Sequence, residues 1–102
     1  MTLRQLQSAF ARKIAVLKLV AYEMGYEITE GEYYRDPRVP YGHEMSLHKK
    51  RLAADLNLFK DGVWLTDGSG HHELHDIWDH MGGAKRIDDD LNHYSIEFHG
   101  MR

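Results

Sequence analysis

An α+β fold, with helices packed against a small antiparallel β-sheet, is what this sequence predicts, and three observations lead there. From Leu3 to Met24 apolar residues recur every three or four positions, as on one face of a long helix. Leu52 to Lys60 alternates apolar and polar residues and then meets Asp61-Gly62, a pair that favours a tight hairpin turn. A second helical stretch follows, and His93 to Phe98 alternates again. Helices packed on hairpin-linked strands define the α+β class.

The first helix places Leu3, Leu6, Phe10, Ile14, Leu17, Ala21 and Met24 on its inner face. Thr2 and Gln5 form a capping box at its start, and Gly25 closes it. A coiled-coil seam has a similar pattern, but a run that passes directly into other structure fits a core helix better. Tyr26–Thr29 reads as a short strand. From there to Glu44 both prolines, Gly31 and Gly42 describe a long structured loop, and such loops in compact domains are often functional. In the strand Leu52–Lys60, Leu52, Ala54, Leu56 and Leu58 share one face, with Ala53, Asp55, Asn57 and Phe59 on the other. The turn leads into a strand at Val63–Thr66. Ser69 is expected to cap a second helix, with Leu74, Ile77, Trp78 and Met81 as its apolar face and Gly82-Gly83 as its end. In the last strand Tyr94, Ile96 and Phe98 are expected to point inward.

One domain spanning residues 1–102 is expected, because 102 residues support a single modest core. The formal charge is −3, and Lys and Arg are scattered from Arg4 to Arg102, which argues against a nucleic-acid partner. The absence of Cys excludes disulfides, Cys-ligated metal and thiol nucleophiles, so any metal must be held by His, Asp or Glu. The N-terminus lacks the apolar segment and small-residue cleavage site of a signal peptide, and no stretch approaches the ~20 apolar residues that span a bilayer. The expectation is a cytoplasmic monomer without membrane insertion.

Two groups of residues could carry chemistry: Ser46-Leu47-His48 followed by Ala54-Asp55, and Asp90-Leu91-Asn92-His93. His48 and Asp55 are seven residues apart. That is roughly 10 Å along a helix or above roughly 20 Å along a strand, whereas zinc–ligand bonds are about 2 Å. The chain must therefore fold back between them. A His ending a loop and an Asp on the polar face of the next strand would meet that need, and His93 could supply a third ligand from a neighbouring strand. Two His and one carboxylate leave one position of a zinc (Zn2+) ion open, as catalytic sites do. Asp90, three residues before His93, could stand beside a water there without ligating the metal. A solvated acidic loop is the plainer reading of Asp88-Asp89-Asp90.

The run Ser46-Leu47-His48-Lys49-Lys50-Arg51-Leu52-Ala53-Ala54-Asp55 resembles the Ser-x-His-(x)6-Asp signature of the D-Ala-D-Ala metallopeptidases. That family includes VanX- and VanY-like dipeptidases and carboxypeptidases and the phage endolysins that cut L-alanyl-D-glutamate bonds. Asp90-x-x-His93 resembles its closing motif, and the wording Arg51 to Phe59 and Asn92-His93-Tyr94-Ser95 is most similar to the phage-type members. The resemblance covers about Tyr34 to Arg102. It implies a zinc site at the sheet held by His48, Asp55 and His93, with Asp90 as general base. It also implies that Arg35 faces the substrate, polarising the scissile carbonyl or holding a carboxylate; a surface ion pair is the alternative for Arg35. Ser46 either binds near the substrate or shapes the turn, and the second is preferred. The implied substrate is the peptide stem of bacterial peptidoglycan, cut by an enzyme that reaches the wall when released during phage lysis. Two departures bear on the cleft and leave the ligands untouched. Arg51 stands where many members have Gly, and Gly83-Ala84-Lys85-Arg86-Ile87 lacks the Trp-Gly-Gly-Arg-Phe wording of phage relatives.

A non-catalytic zinc-binding domain of the same fold, acting as a binding or structural module, is the rival expectation. His71-His72-Glu73-Leu74-His75 is rich in ligand types, but a single residue separates Glu73 from His75, so it is not the His-Glu-x-x-His motif. With Leu74 turned to the core, these histidines are expected to face solvent. His43, His80 and His99 have no partners in the sequence that single them out.

Overall fold

The computed structural model describes residues 1–38 and 46–102. His43, Gly42 and the rest of residues 39–45 of the expected loop lie outside the described residues.

Helix α1 spans Leu3–Glu23, and the capping box is formed in full: Gln5 N–H donates to Thr2 Oγ1, and Thr2 N–H to Gln5 Oε1. Its buried face is Phe10, Ile14, Leu17 and Ala21, each contributing about 1.5–3 kcal/mol if large and apolar. Strand β1 (Glu27–Glu30) pairs antiparallel with β2 (Ala53–Lys60), Glu27 opposite Phe59 and Glu30 opposite Leu56. Asp61 and Gly62 take positive φ (52° and 78°), the type I′ turn that carries β2 into β3 (Val63–Trp64). Helix α2 is His71–His80, and β4 is His93–Ser95. β4 pairs with the first residues of β2, with Ala53 opposite Ser95 and Asp55 opposite His93. The architecture is the expected α+β: two helices with a small antiparallel four-stranded sheet.

β2 is central. β1 lies along one edge, and β3 and β4 share the other, at opposite ends. Leu52, Ala54, Leu56 and Leu58 are buried, as the alternation predicts, and pack with Tyr94, Ile96, Leu74, Trp78 and the α1 face. Phe10 of α1 meets Trp78 of α2 edge-on at 6.0 Å, and the Trp78 indole N–H donates to the Ser95 carbonyl at 2.8 Å. No helix among the described residues is long and apolar enough to cross a membrane.

Two expectations are corrected at the ends of elements. Ser69 does not cap α2; Gly70 precedes the helix with φ 81° and no side-chain cap, while Ser69 N–H donates to Asp67 Oδ1. A Cβ at Gly70 would sit 2.9 Å from the Tyr26 ring, so close approach of that ring selects the glycine. The last strand is also shorter than its alternation suggests. Tyr94 and Ile96 point inward, but pairing stops at Ser95, and Phe98 instead bridges to Met101.

Candidate metal centre

His48 lies in a single 3-10 turn, Leu47–Lys50, that follows from its neighbours. Ser46 Oγ accepts from the His48 N–H at 3.2 Å and caps the turn, so Ser46 shapes the backbone as preferred. Arg51 then adopts left-handed backbone (φ 59°, ψ 35°), its N–H donating to the His48 carbonyl. This reverses the chain into β2 and brings Asp55 back to His48. A non-glycine residue there costs roughly 1–2 kcal/mol; the Arg51 guanidinium lies 4.0 Å over the Tyr34 ring, a partial offset.

Asp55 is held from both edges of β2. Gly31 N–H donates to its carbonyl, and its own N–H donates to the Glu32 carbonyl, both at 2.8 Å. A Cβ on Gly31 would fall 3.0 Å from the Asp55 carbonyl oxygen and 3.2 Å from its Cβ, so a bare glycine leaves room for the side chain. His93 stands directly across the other edge, in the pairing position where side chains meet.

The three side chains converge. His48 Nε2 is 3.2 Å from Asp55 Oδ1 and 3.2 Å from His93 Nδ1, and His93 Nδ1 is 3.5 Å from Asp55 Oδ1. Donor atoms around a tetrahedral ion with bonds near 2.0–2.1 Å lie about 3.3–3.4 Å apart, so the triangle has the size of one face of such a site. Asp55 Oδ1 is buried without a hydrogen bond among the described residues, an arrangement costly for a carboxylate oxygen unless a cation answers it. His48 Nδ1–H donates to the Tyr33 carbonyl at 3.3 Å, which fixes the tautomer and leaves Nε2 with a free lone pair. His93 Nε2, on the far side of its ring, is buried without a partner among the described residues. His48, Asp55 and His93 could hold a metal ion.

Electrostatics follow this geometry. Burial pushes the Asp55 carboxyl up, but the two imidazoles beside it prevail and hold it at about 2. Burial disfavours charge on His48, yet the Asp55 carboxylate outweighs it and its pKa rises. The Asp90 carboxylate is 3.9 Å from His93 Nδ1 and half exposed. Its pKa is raised, by burial first and by the Asp55 charge, against the pull of His93. A carboxyl so shifted is better matched to taking and returning a proton.

A cleft of about 470 Å³ opens onto these residues, lined also by Arg35, Ser46, Ile87, Met101 and Arg102. Arg35 is bound bidentate by Glu32 (2.8 and 2.9 Å), so it is both ion-paired and on the cleft wall. Ile87, Met101 and Arg102 were not legible as cleft residues. A second cleft of about 460 Å³ lies on the other side of Asp90, walled by Trp64, Asp67, Asp88 and Asp89. The acidic triplet is exposed, as the solvated-loop reading expects, and its last member, Asp90, lines both clefts.

One expectation is overturned. His71 and His75 do not face solvent; they are 3% and 1% exposed. His71 Nδ1 is 2.7 Å from the Tyr94 hydroxyl, and the His75 ring stacks on Tyr94 at 4.2 Å with Nε2–H donating to the Leu91 carbonyl at 2.7 Å. A signal was present: His71, Leu74, His75 and Trp78 fall at i, i+3, i+4, i+7, the inner face itself. No family model matches the chain, and no match is found among curated proteins or solved structures.

Proposed function

We propose that the protein is a zinc peptidase acting on the peptide stem of bacterial peptidoglycan. The observation that supports it best is the triangle of His48 Nε2, Asp55 Oδ1 and His93 Nδ1, with edges of 3.2, 3.2 and 3.5 Å. Two imidazoles and a carboxylate, with no thiolate in the chain, suit zinc and leave one position for chemistry. The substrate class rests on the resemblance of Ser46–Asp55 and Asp90–His93 to the D-Ala-D-Ala metallopeptidases.

A zinc ion bound by this triad supplies Lewis acidity toward a water and toward an amide carbonyl. Asp90 takes the proton of the attacking water and returns it to the leaving amine, a role its raised pKa and position beside His93 suit. Arg35, held by Glu32, stabilises the oxyanion from the cleft wall. A peptide laid across Asp90 runs from a cleft bearing Arg35 and Arg102 to one bearing Asp67, Asp88 and Asp89. Its carboxylate-bearing part therefore suits the first and any amine the second.

Zinc content and wall lysis, measured on wild type, Asp90→Ala and His93→Ala, test the reading. One zinc per chain with lysis in wild type, zinc without lysis in Asp90→Ala, and neither in His93→Ala are expected. Zinc-loaded wild type that lyses no wall preparation would instead favour a non-catalytic binding domain.

A further inference from the structure

We infer that His75 is a positioning residue for this centre: its imidazole N–H, donated from α2, fixes the Asp90–His93 turn that carries the base and the third ligand. The inference rests on the metal-centre reading above.

Backbone donors answer two carbonyls of the turn, those of Asp90 and Asn92, and a third bond ties the Asp90 N–H to the residue before the acidic triplet. Asp90 N–H donates to Ile87 O, His93 N–H to Asp90 O, and Leu56 N–H of β2 to Asn92 O. The Leu91 carbonyl, between those of Asp90 and Asn92, receives His75 Nε2–H at 2.7 Å. A carbonyl accepts only, so the proton is on Nε2 and His75 is the donor. This ties the turn to the helical layer, whereas its other bonds are to itself and to β2.

The ring is built in for that one bond. His75 is 1% exposed, and its Nδ1 is buried without a hydrogen-bond partner among the described residues. A leucine would fill the same helix face without an orphaned nitrogen, so packing alone does not explain an imidazole here. His75 also lies flat on Tyr94, with an interplanar angle of 9°, and the Tyr94 hydroxyl is in turn bonded to His71. Tyr94 follows His93 directly and Leu91 lies two residues before it, so α2 braces the chain before and after the ligand. Outer groups that orient a metal ligand typically change metal affinity about 10–100-fold when removed.

The test compares wild type with His75→Gln, which keeps an N–H donor, and His75→Leu, which fills the space without one. Zinc affinity is measured by chelator competition, the unfolding midpoint in the metal-free form, and kcat and KM on a soluble stem peptide. His75→Leu should bind zinc about tenfold or more weakly and lose kcat more than KM, with a metal-free midpoint no lower than that of His75→Gln. His75→Gln should recover most of the zinc affinity. Wild-type zinc affinity in folded His75→Leu overturns the proposal, as does equal loss in both variants. Should His75→Leu not fold, nitrogen-detected NMR of wild type decides: a neutral His75 protonated on Nε2 upholds the proposal, and one protonated on Nδ1 overturns it. Wild type that binds zinc but cuts no peptide refutes the peptidase reading and leaves the zinc-affinity arm to stand.

Discussion

Among the described residues two pairs of histidines are buried, and they are arranged in opposite ways. His48 and His93 turn ring nitrogens toward a common point shared with Asp55 Oδ1, which is buried and without a hydrogen bond. His71 and His75 turn theirs toward a tyrosine hydroxyl and a backbone carbonyl, with no carboxylate among those partners. Burial does not separate the pairs, since all four side chains are buried. Convergence with a carboxylate does. The first pair is organised for a cation, and the second holds the frame in which the first pair sits.

Substituting the carboxylate should break the comparison most sharply. Asp55→Ala leaves two imidazoles without their anion, and zinc affinity should fall by more than about a hundredfold, beyond the cost of losing an outer hydrogen bond. His71→Phe should leave zinc affinity within a few-fold of wild type. Chelator competition reads both, and equal loss in the two variants would erase the distinction.

The pairs should also part in acid. Burial lowers His71 to about 4, with the neighbouring His75 and His72 acting in the same direction. An unfolded chain with His near 6.5 then binds more protons between pH 6.5 and 4, so stability is full above that window and falls as pH drops through it. The loss from His71 alone should reach about 3 kcal/mol by pH 4 in metal-free protein. His48, with a raised pKa, works in the opposite sense, adding stability below its unfolded value that is lost as pH rises. The benefit from Asp55 is lost only as pH falls from the ordinary carboxyl range toward 2. Urea midpoints from pH 7 to pH 4 should fall in wild type and flatten in His71→Phe.

Gly31→Ala sharpens the contrast at smaller scale. Its Cβ would press on Asp55 at 3.0–3.2 Å, which should cost roughly 1–3 kcal/mol of stability. Zinc binding should weaken while the buried His71–Tyr94 contact stays intact, as NMR of the ring protons would report. Arg51→Gly should have the least effect. Relief of left-handed backbone is offset by the loss of the Tyr34 stack and the entropy of glycine, so the unfolding midpoint should move by less than about 1 kcal/mol in equivalent stability.

Much of this frame was legible in the residues because it depends on local rules. The Thr2–Gln5 box, the period of α1, the alternation of β2 and the Asp61-Gly62 turn each depend on neighbours within a few positions. The grouping of His48, Asp55 and His93 was legible from spacing only as a possibility, and from resemblance as an expectation. The place of His71 and His75 on the inner face of α2 was legible in the helical period, but the partners that answer their nitrogens are distant. Tyr94 and Leu91, 23 and 16 residues away, supply those partners. The Tyr26 ring against Gly70, and Met101 and Arg102 beside His48 and Asp55 in the cleft, likewise bring together residues far apart in sequence. None of these distances is written in a local pattern.

The most direct measurement is X-ray absorption at the zinc edge on protein loaded with one equivalent of zinc and dialysed. The account predicts retained zinc in a shell of nitrogen and oxygen at about 2.0–2.1 Å, with outer scattering from two imidazoles that drops to one in His93→Ala. Zinc lost on dialysis, or a spectrum unchanged by His93→Ala, would contradict it.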